Sequence, residues 1–234
     1  MDALVSYSLD GAIATITMDD GKVNVLSSRM LAELDKALDR AETDKAVVVL
    51  TGRPGIFSAG FDLPVLRAGG PDAAAMLRSG FELAERLLGF PTPVLVACPG
   101  HAIAMAAFLV LSADYRIGAV GSYKITANEV AIGVTLPRAA VEICRQRLSP
   151  VHFDRATILA EVFSPESAVE AGFLDRVVDA AERKATARAV ATDLAGLDMA
   201  AHAATKQRTR LRTLEAVHEA IEVDSLAYAA AMTG

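Results

Sequence analysis

Residues 4–9 and 12–18 are β-branched and alternate between apolar and polar, with Asp10-Gly11 between the two runs. A period of two suits a half-buried strand and the Asp-Gly pair suits a tight reversal, so an antiparallel hairpin opens the chain. The period then changes. Met30, Leu31, Leu34, Ala37, Leu38 and Ala41 recur at three- and four-residue spacing, which puts them on one face of an amphipathic helix capped by Ser27 or Ser28. Val47-Val48-Val49-Leu50 is apolar throughout, as a strand covered on both faces should be. Gly52-Arg53-Pro54-Gly55 ends it.

The succession repeats. A helix over 73–88 leads to the strand Val94–Cys98, a Pro-Gly loop and an apolar helix over 104–112. A strand at Tyr115–Ile117 and an extended piece at Tyr123–Ile125 follow, then helices over 137–148 and 150–160. Ser164-Pro165-Glu166 starts another helix, with Ser as cap and Pro in the first turn, and Gly172 ends it. Val177-Val178 is a last strand. Strands alternating with helices predict an α/β domain with a mostly parallel sheet or stack over residues 1–184, followed by a separate helical layer over 185–234.

Composition narrows the class. The 234 residues are 53% hydrophobic and 22% charged, enough to fill a core, and the net charge is −6. An acidic balance gives no electrostatic case for nucleic acid or an anionic membrane. The basic cluster Lys206, Arg208, Arg210 and Arg212 reads as a solvated helix face or a phosphate contact. Cys98 and Cys144 are far apart and outside any metal-ligand spacing, so neither disulfide nor metal is expected and the cytoplasm is the default setting. The start MDALVSYSLDG lacks a basic and an apolar signal-peptide region. Leu87–Ala113 carries no formal charge, but Gly89, Pro91, Pro93, Pro99 and Gly100 interrupt it. A bilayer helix needs about 20 apolar residues, so a buried strand, a loop and a core helix are expected instead.

Several chemistries have no motif here. There is no G-x-x-x-x-G-K-[ST], no G-x-G-x-x-G after a strand, no H-E-x-x-H and no G-x-S-x-G. The four histidines are scattered, and His101 is expected to have a structural hydrogen bond. Two loop-to-helix junctions, Pro54–Leu63 and Pro99–Ala107, place small residues after buried strands. Backbone N–H groups at such junctions lack intrahelical partners and can face an anion or form an oxyanion hole. The third feature is Glu129, a lone carboxylate within an apolar stretch of about ten residues, where burial is costly unless the group is paired or functional.

Taken in order, these segments resemble the crotonase (enoyl-CoA hydratase/isomerase) superfamily over essentially the whole chain. FSAGFDL (57–63) resembles its first oxyanion loop, and GHAIAMAAFLVLSADYRIG (100–118) its second loop with the helix and strand that follow. NEVAIGV (128–134) resembles the catalytic-Glu segment and PESAVEAGFLDRVVD (165–179) a late family signature. The P-G-x-F-S-A-G-x-D-L and N-E-x-x-x-G forms are most similar to mitochondrial-type Δ3,Δ2-enoyl-CoA isomerases.

The resemblance implies a crotonase-like spiral of ββα units with a helical C-terminal region, 185–234, serving trimerisation in a homotrimer or hexamer. It also implies fatty acid metabolism, with an acyl-CoA thioester as substrate and no cofactor beyond the coenzyme A that the substrate carries. Residue by residue, the N–H groups of Phe61 and Met105 become the oxyanion donors and Glu129 the base. Ala59, Gly60, Phe61, Asp62, Leu63, Met105, Phe108 and Asn128 border the acyl-CoA. Phe108 stands where the hydratases carry a second glutamate, so an isomerase is expected ahead of a hydratase or a catalytically silent acyl-CoA-binding protein. Burial among Val130, Ile132 and Phe108 should raise the Glu129 pKa. Phe61 and Met105 replace the common Ala and Gly; the Met105 side chain is expected to narrow the acyl pocket or tilt the donor, and bulk at 61, 105 and 108 to select a short or slim acyl group or to close the site. Thr135-Leu136-Pro137-Arg138 replaces the hydratases' Pro-Gly-Ala-Gly-Gly turn.

Overall fold

The computed structural model describes residues 3–231; Met1 and Asp2 of the N-terminal stretch and the tail's last positions, 232–234, lie outside the described residues. Strands in chain order are β1 (Val5–Asp10), β2 (Ile13–Met18), β3 (Val47–Thr51), β4 (Gly55–Ser58), β5 (Val94–Cys98), β6 (Gly100–Ile103), β7 (Tyr115–Ala119), β8 (Ile125–Thr126) and β9 (Arg176–Val178). Helices are α1 (Ser28–Thr43), α2 (Leu63–Ala68), α3 (Gly70–Gly89), α4 (Met105–Ser112), α5 (Arg138–Arg145), α6 (Pro150–Thr157), α7 (Pro165–Ala171), α8 (Arg183–Ala195) and α9 (Met199–Ala231).

The hairpin pairs β1 with β2 antiparallel, Val5 opposite Met18 and Asp10 opposite Ile13. From β2 the sheet is parallel in the order β1-β2-β3-β5-β7-β9. Alternation along these strands divides the core. Ala14, Ile16, Val48, Leu50, Val94 and Val96 face the layer that contains α1, α3 and α4. Ile13, Val47, Val49, Leu95, Ala97 and Ile117 face the opposite way and meet Ala187 and Ala191 of α8. The chain is thus a mixed α/β spiral with helices at its C-terminal end. Among the described residues, no helix is long and apolar enough to cross a membrane.

Local signals explain several boundaries. Ser27 caps α1 by accepting from the Met30 N–H at 3.3 Å, and Ser164 caps α7 by accepting from Ser167. Gly172, at φ +100°, ends α7 as expected. The two Gly-containing junctions differ from the sequence reading. Each contains a short strand, β4 and β6, where only loop was expected, because their pairing is with each other and with β8 in a separate three-stranded sheet.

The basic cluster also divides. Arg208 and Arg212 are exposed, whereas Lys206 is buried and paired with Asp114 at 2.7 Å, and Arg210 reaches the same carboxylate at 2.9 Å. Positions 206 and 210 share a helix face, so Lys206 and Arg210 fasten α9 to the start of β7. Asp114 also accepts from the Val94 N–H at 2.7 Å.

A second buried pair joins β7 to the segment before β9. The Arg116 side chain is 0% exposed and donates from Nε at 3.0 Å and Nη2 at 2.7 Å to the two oxygens of Asp175. Asp175→Ala leaves that guanidinium buried without its counter-charge. The expected cost is about 3–5 kcal/mol of stability, the range for removing one partner of a buried ion pair, read as a lower denaturant midpoint in urea unfolding.

Candidate active site

The small sheet carries the geometry. β4, β6 and β8 run parallel, with Ser58 beside Ala102 and Ile103 beside Thr126. Parallel strands open their carboxyl ends onto one edge, the usual place for a ligand in open α/β sheets. Three segments leave by that edge: residues 59–62 after β4, 104–105 after β6 and 127–129 after β8.

Residues 23–26 hold the first segment. The Ala59 N–H donates to Val23 O at 3.0 Å, and the Leu26 N–H donates to Gly60 O at 2.8 Å. Asn24 is fully buried, and its amide donates to Met18 O at 3.0 Å and Phe57 O at 3.1 Å. This clamp was not singled out from the sequence, although an Asn between Val23 and Val25 is a visible signal.

Gly60 brings the first and second segments together. Its φ is +86°, and a Cβ there would lie 2.8 Å from Ile103 O, with Met105 N 3.6 Å away. Ala104 has φ +53° and ψ −125°, a conformation that costs an L-residue on the order of 1–3 kcal/mol and gathers at functional sites. The Ala104 N–H donates to Thr126 O at 2.8 Å, tying the second segment to the third. Met105 then opens α4, where its N–H has no carbonyl one turn back within the helix.

The side chains of Phe61 and Met105 both pack toward α3. A Cβ built on Gly80 would stand 2.4 Å from the Phe61 ring and 3.7 Å from Met105 Cγ. The absence of a side chain at position 80 makes room for the Phe61 ring, with Met105 Cγ at ordinary contact distance. Phe61 meets Phe81 edge-on at 6.2 Å between centroids, and Phe81 stacks on Phe108 at 6.1 Å. Phe108 is therefore part of an aromatic row and offers no group for proton transfer.

Glu129 is only 9% exposed, and burial pushes its pKa up to about 7. Its setting differs from the expected one. Val130 and Ile132, on a 3-10 turn after Glu129, are 46% and 51% exposed, so they do not bury it. Its charge is instead felt on α5, where with burial it raises the Cys144 thiol pKa. It is felt also on α9, where Tyr228 is raised by burial, then by Asp224 and then by Glu129. Thr126 Oγ1, Asn128 Oδ1 and Glu129 Oε2 are buried without a hydrogen-bond partner among the described residues. Buried polar atoms are rarely left so, and a cluster of them marks a place where a ligand or water belongs.

The expected site residues thus divide. Gly60 and Met105 come into proximity, and Thr126 ties their junction to the segment that ends in Asn128 and Glu129. Asp62 is occupied in capping α2 through the Val65 N–H at 3.3 Å, and Leu63 opens that helix with its side chain exposed. Ala59 is half-buried in the first segment. Tyr228 was missed, since nothing local in the helical tail marks it. His101 lies in β6 and accepts from the Lys124 N–H at 3.0 Å, the structural role expected of it.

A spiral with two apposed strand-to-helix junctions and a buried carboxylate at one sheet edge defines a crotonase-type protein, the class of acyl-CoA-processing enzymes. The chain belongs to the enoyl-CoA hydratase/isomerase family, whose model matches residues 8–232. An apo enoyl-CoA isomerase structure from Mycobacterium tuberculosis is 47% identical, with a TM-score of 0.91, covering 95% of this chain and 97% of that one. Mouse mitochondrial enoyl-CoA delta isomerase 1 is 30% identical over 226 residues, 94% of this chain and 78% of that protein. A probable enoyl-CoA hydratase of Bacillus subtilis is 32% identical over 134 residues, 56% of this chain and about half, 52%, of that protein's length. Hydratase and isomerase names both occur among these relatives.

Proposed function

We propose that this protein is an enoyl-CoA isomerase that converts a 3-enoyl thioester to the 2-enoyl form. Glu129 takes a proton from C2, and the electron pair moves into a dienolate whose oxygen accepts from the N–H groups of Phe61 and Met105. The same carboxyl then returns the proton to C4, leaving the double bond between C2 and C3. The observation that carries this reading is Glu129, a buried carboxylate whose Oε2 has no partner among the described residues, alongside Phe108 where a hydratase would need a second acid–base group; the buried carboxylate of Asp224 is instead engaged by Arg138 and the Ala139 N–H. Shifting a double bond needs one base; adding water is better served by two.

Two incubations test it. With 3-enoyl-CoA, the conjugated thioester absorbance should rise; with 2-enoyl-CoA, it should not fall through hydration. Loss of 2-enoyl absorbance without any 3-enoyl conversion would replace this reading with a hydratase, and binding without either change would replace it with a silent acyl-CoA-binding protein.

The pH profile follows from Glu129. A base must be ionised, so kcat/KM should rise with pH, reach half its plateau near pH 7 and fall about tenfold per unit below that. A profile flat from pH 5 to 8 would mean that Glu129 is not the titrating base.

A further inference from the structure

A separate cavity of about 510 Å³ lies between the large sheet and α8, on the face turned away from α1, α3 and α4. Its floor is unusual for a sheet surface beneath a helix. Ser8 pairs with Thr15 and Thr17 with Thr51 across β1, β2 and β3, so four hydroxyls share this face where apolar residues would seal it. Thr51 donates to Ala97 O at 2.7 Å, but Ser8, Thr15 and Thr17 make no side-chain hydrogen bond among the described residues.

Arg183 stands over this floor. Its Nη1 donates to Thr51 Oγ1 at 3.0 Å and Ala97 O at 2.9 Å, while Nε and Nη2 have no protein acceptor among the described residues. No carboxylate pairs with it there either, although the group is half-buried and desolvation lowers its pKa. Lys184 and Arg188 also line the cavity, and the one carboxylate present, Asp10, pairs with Arg188. Three cations thus face one anion. A half-buried guanidinium with an unused edge, no counter-charge and hydroxyls lining the same cavity is suited to an oxyanion that accepts two parallel N–H bonds.

We propose that this cavity binds a phosphate group, with the Nε–Nη2 edge of Arg183 donating to two oxygens, Thr15 and Thr17 donating from below and Lys184 supplying charge. The phosphate belongs either to free inorganic phosphate or to a phosphate monoester on a nucleotide. The site is independent of Glu129 and of the isomerase reading.

Calorimetry with inorganic phosphate at fixed ionic strength tests this on the full chain. Saturable binding at one site per chain is expected. Arg183→Met should weaken it about tenfold to a hundredfold, the effect of losing hydrogen bonds to a charged group. Arg183→Lys keeps the charge without the fork and should fall between the two. Thr17→Val, a smaller change, should weaken binding several-fold if the larger substitutions fail to fold. Adenosine 3′,5′-bisphosphate distinguishes the sources: displacement of phosphate at well below its own concentration points to a nucleotide, and weaker competition points to the free anion. Heat that never saturates, or equal affinity in the wild type and Arg183→Met, overturns the proposal.

Discussion

Glu129→Gln is expected to lower isomerisation of a 3-enoyl-CoA by about 10²–10⁴, the contribution of a positioned acid–base group, while a non-reactive acyl-CoA still binds. The substitution keeps size and hydrogen-bonding capacity but removes the carboxylate proposed to accept the C2 proton. Kinetics should therefore show the loss in kcat, with calorimetric affinity for the acyl-CoA nearly unchanged. Stability should move the other way. In the fold the Glu129 carboxyl holds its proton up to about pH 7, more tightly than an unfolded carboxyl would. The fold is thus favoured at low pH and loses that contribution as pH rises to about 7. The Gln variant lacks this loss and should unfold at an equal or higher temperature at pH 8, a common pattern for a destabilising catalytic group. Retained turnover would remove Glu129 from the base role.

Gly60→Ala is expected to lower kcat/KM by about 10²–10³, comparable to losing one oxyanion donor. The methyl group would meet Ile103 O at 2.8 Å, a backbone atom that cannot swing aside, at a residue whose φ of +86° already disfavours any side chain. Relief requires the first and second segments to separate, and the amides of Phe61 and Met105 lie immediately beyond the contact. Affinity for the distant coenzyme A portion should change far less than the rate. Circular dichroism distinguishes this from global unfolding: a folded variant with unchanged activity would mean that the spacing of these loops does not govern the reaction.

Much of the architecture was legible because the central strands β3 and β5 are apolar on both faces and the opening hairpin alternates. Val47–Leu50 and Val94–Cys98 need no tertiary context to read as buried strands. β4 and β6 were not legible, since Gly55–Ser58 and Gly100–Ile103 are short and glycine-led, and only their pairing with each other and with β8 makes them strands. The candidate site was read by its motifs, but its surroundings were not. Val130 and Ile132 look like core in sequence, yet the 3-10 turn carries them outward. Tyr228 comes from a helix far along the chain with no local pattern to announce it. Lys206 and Arg210 share a face with spacing that fits either solvent or a buried partner; Asp114 decides between these, and it lies in another element.

The vacancy at Gly80 couples three positions through one shared volume. A methyl group at 80 collides with the far end of the Phe61 ring, which can yield, but a branched residue there would compete with both Phe61 and Met105 for the same volume. Their substitutions should consequently be non-additive, a larger residue at 80 being tolerated best when 61 or 105 has already shrunk. Homologues that carry smaller residues at 61 and 105 are free to fill position 80, and grafting only one member of such a trio between relatives should give a worse enzyme than either parent.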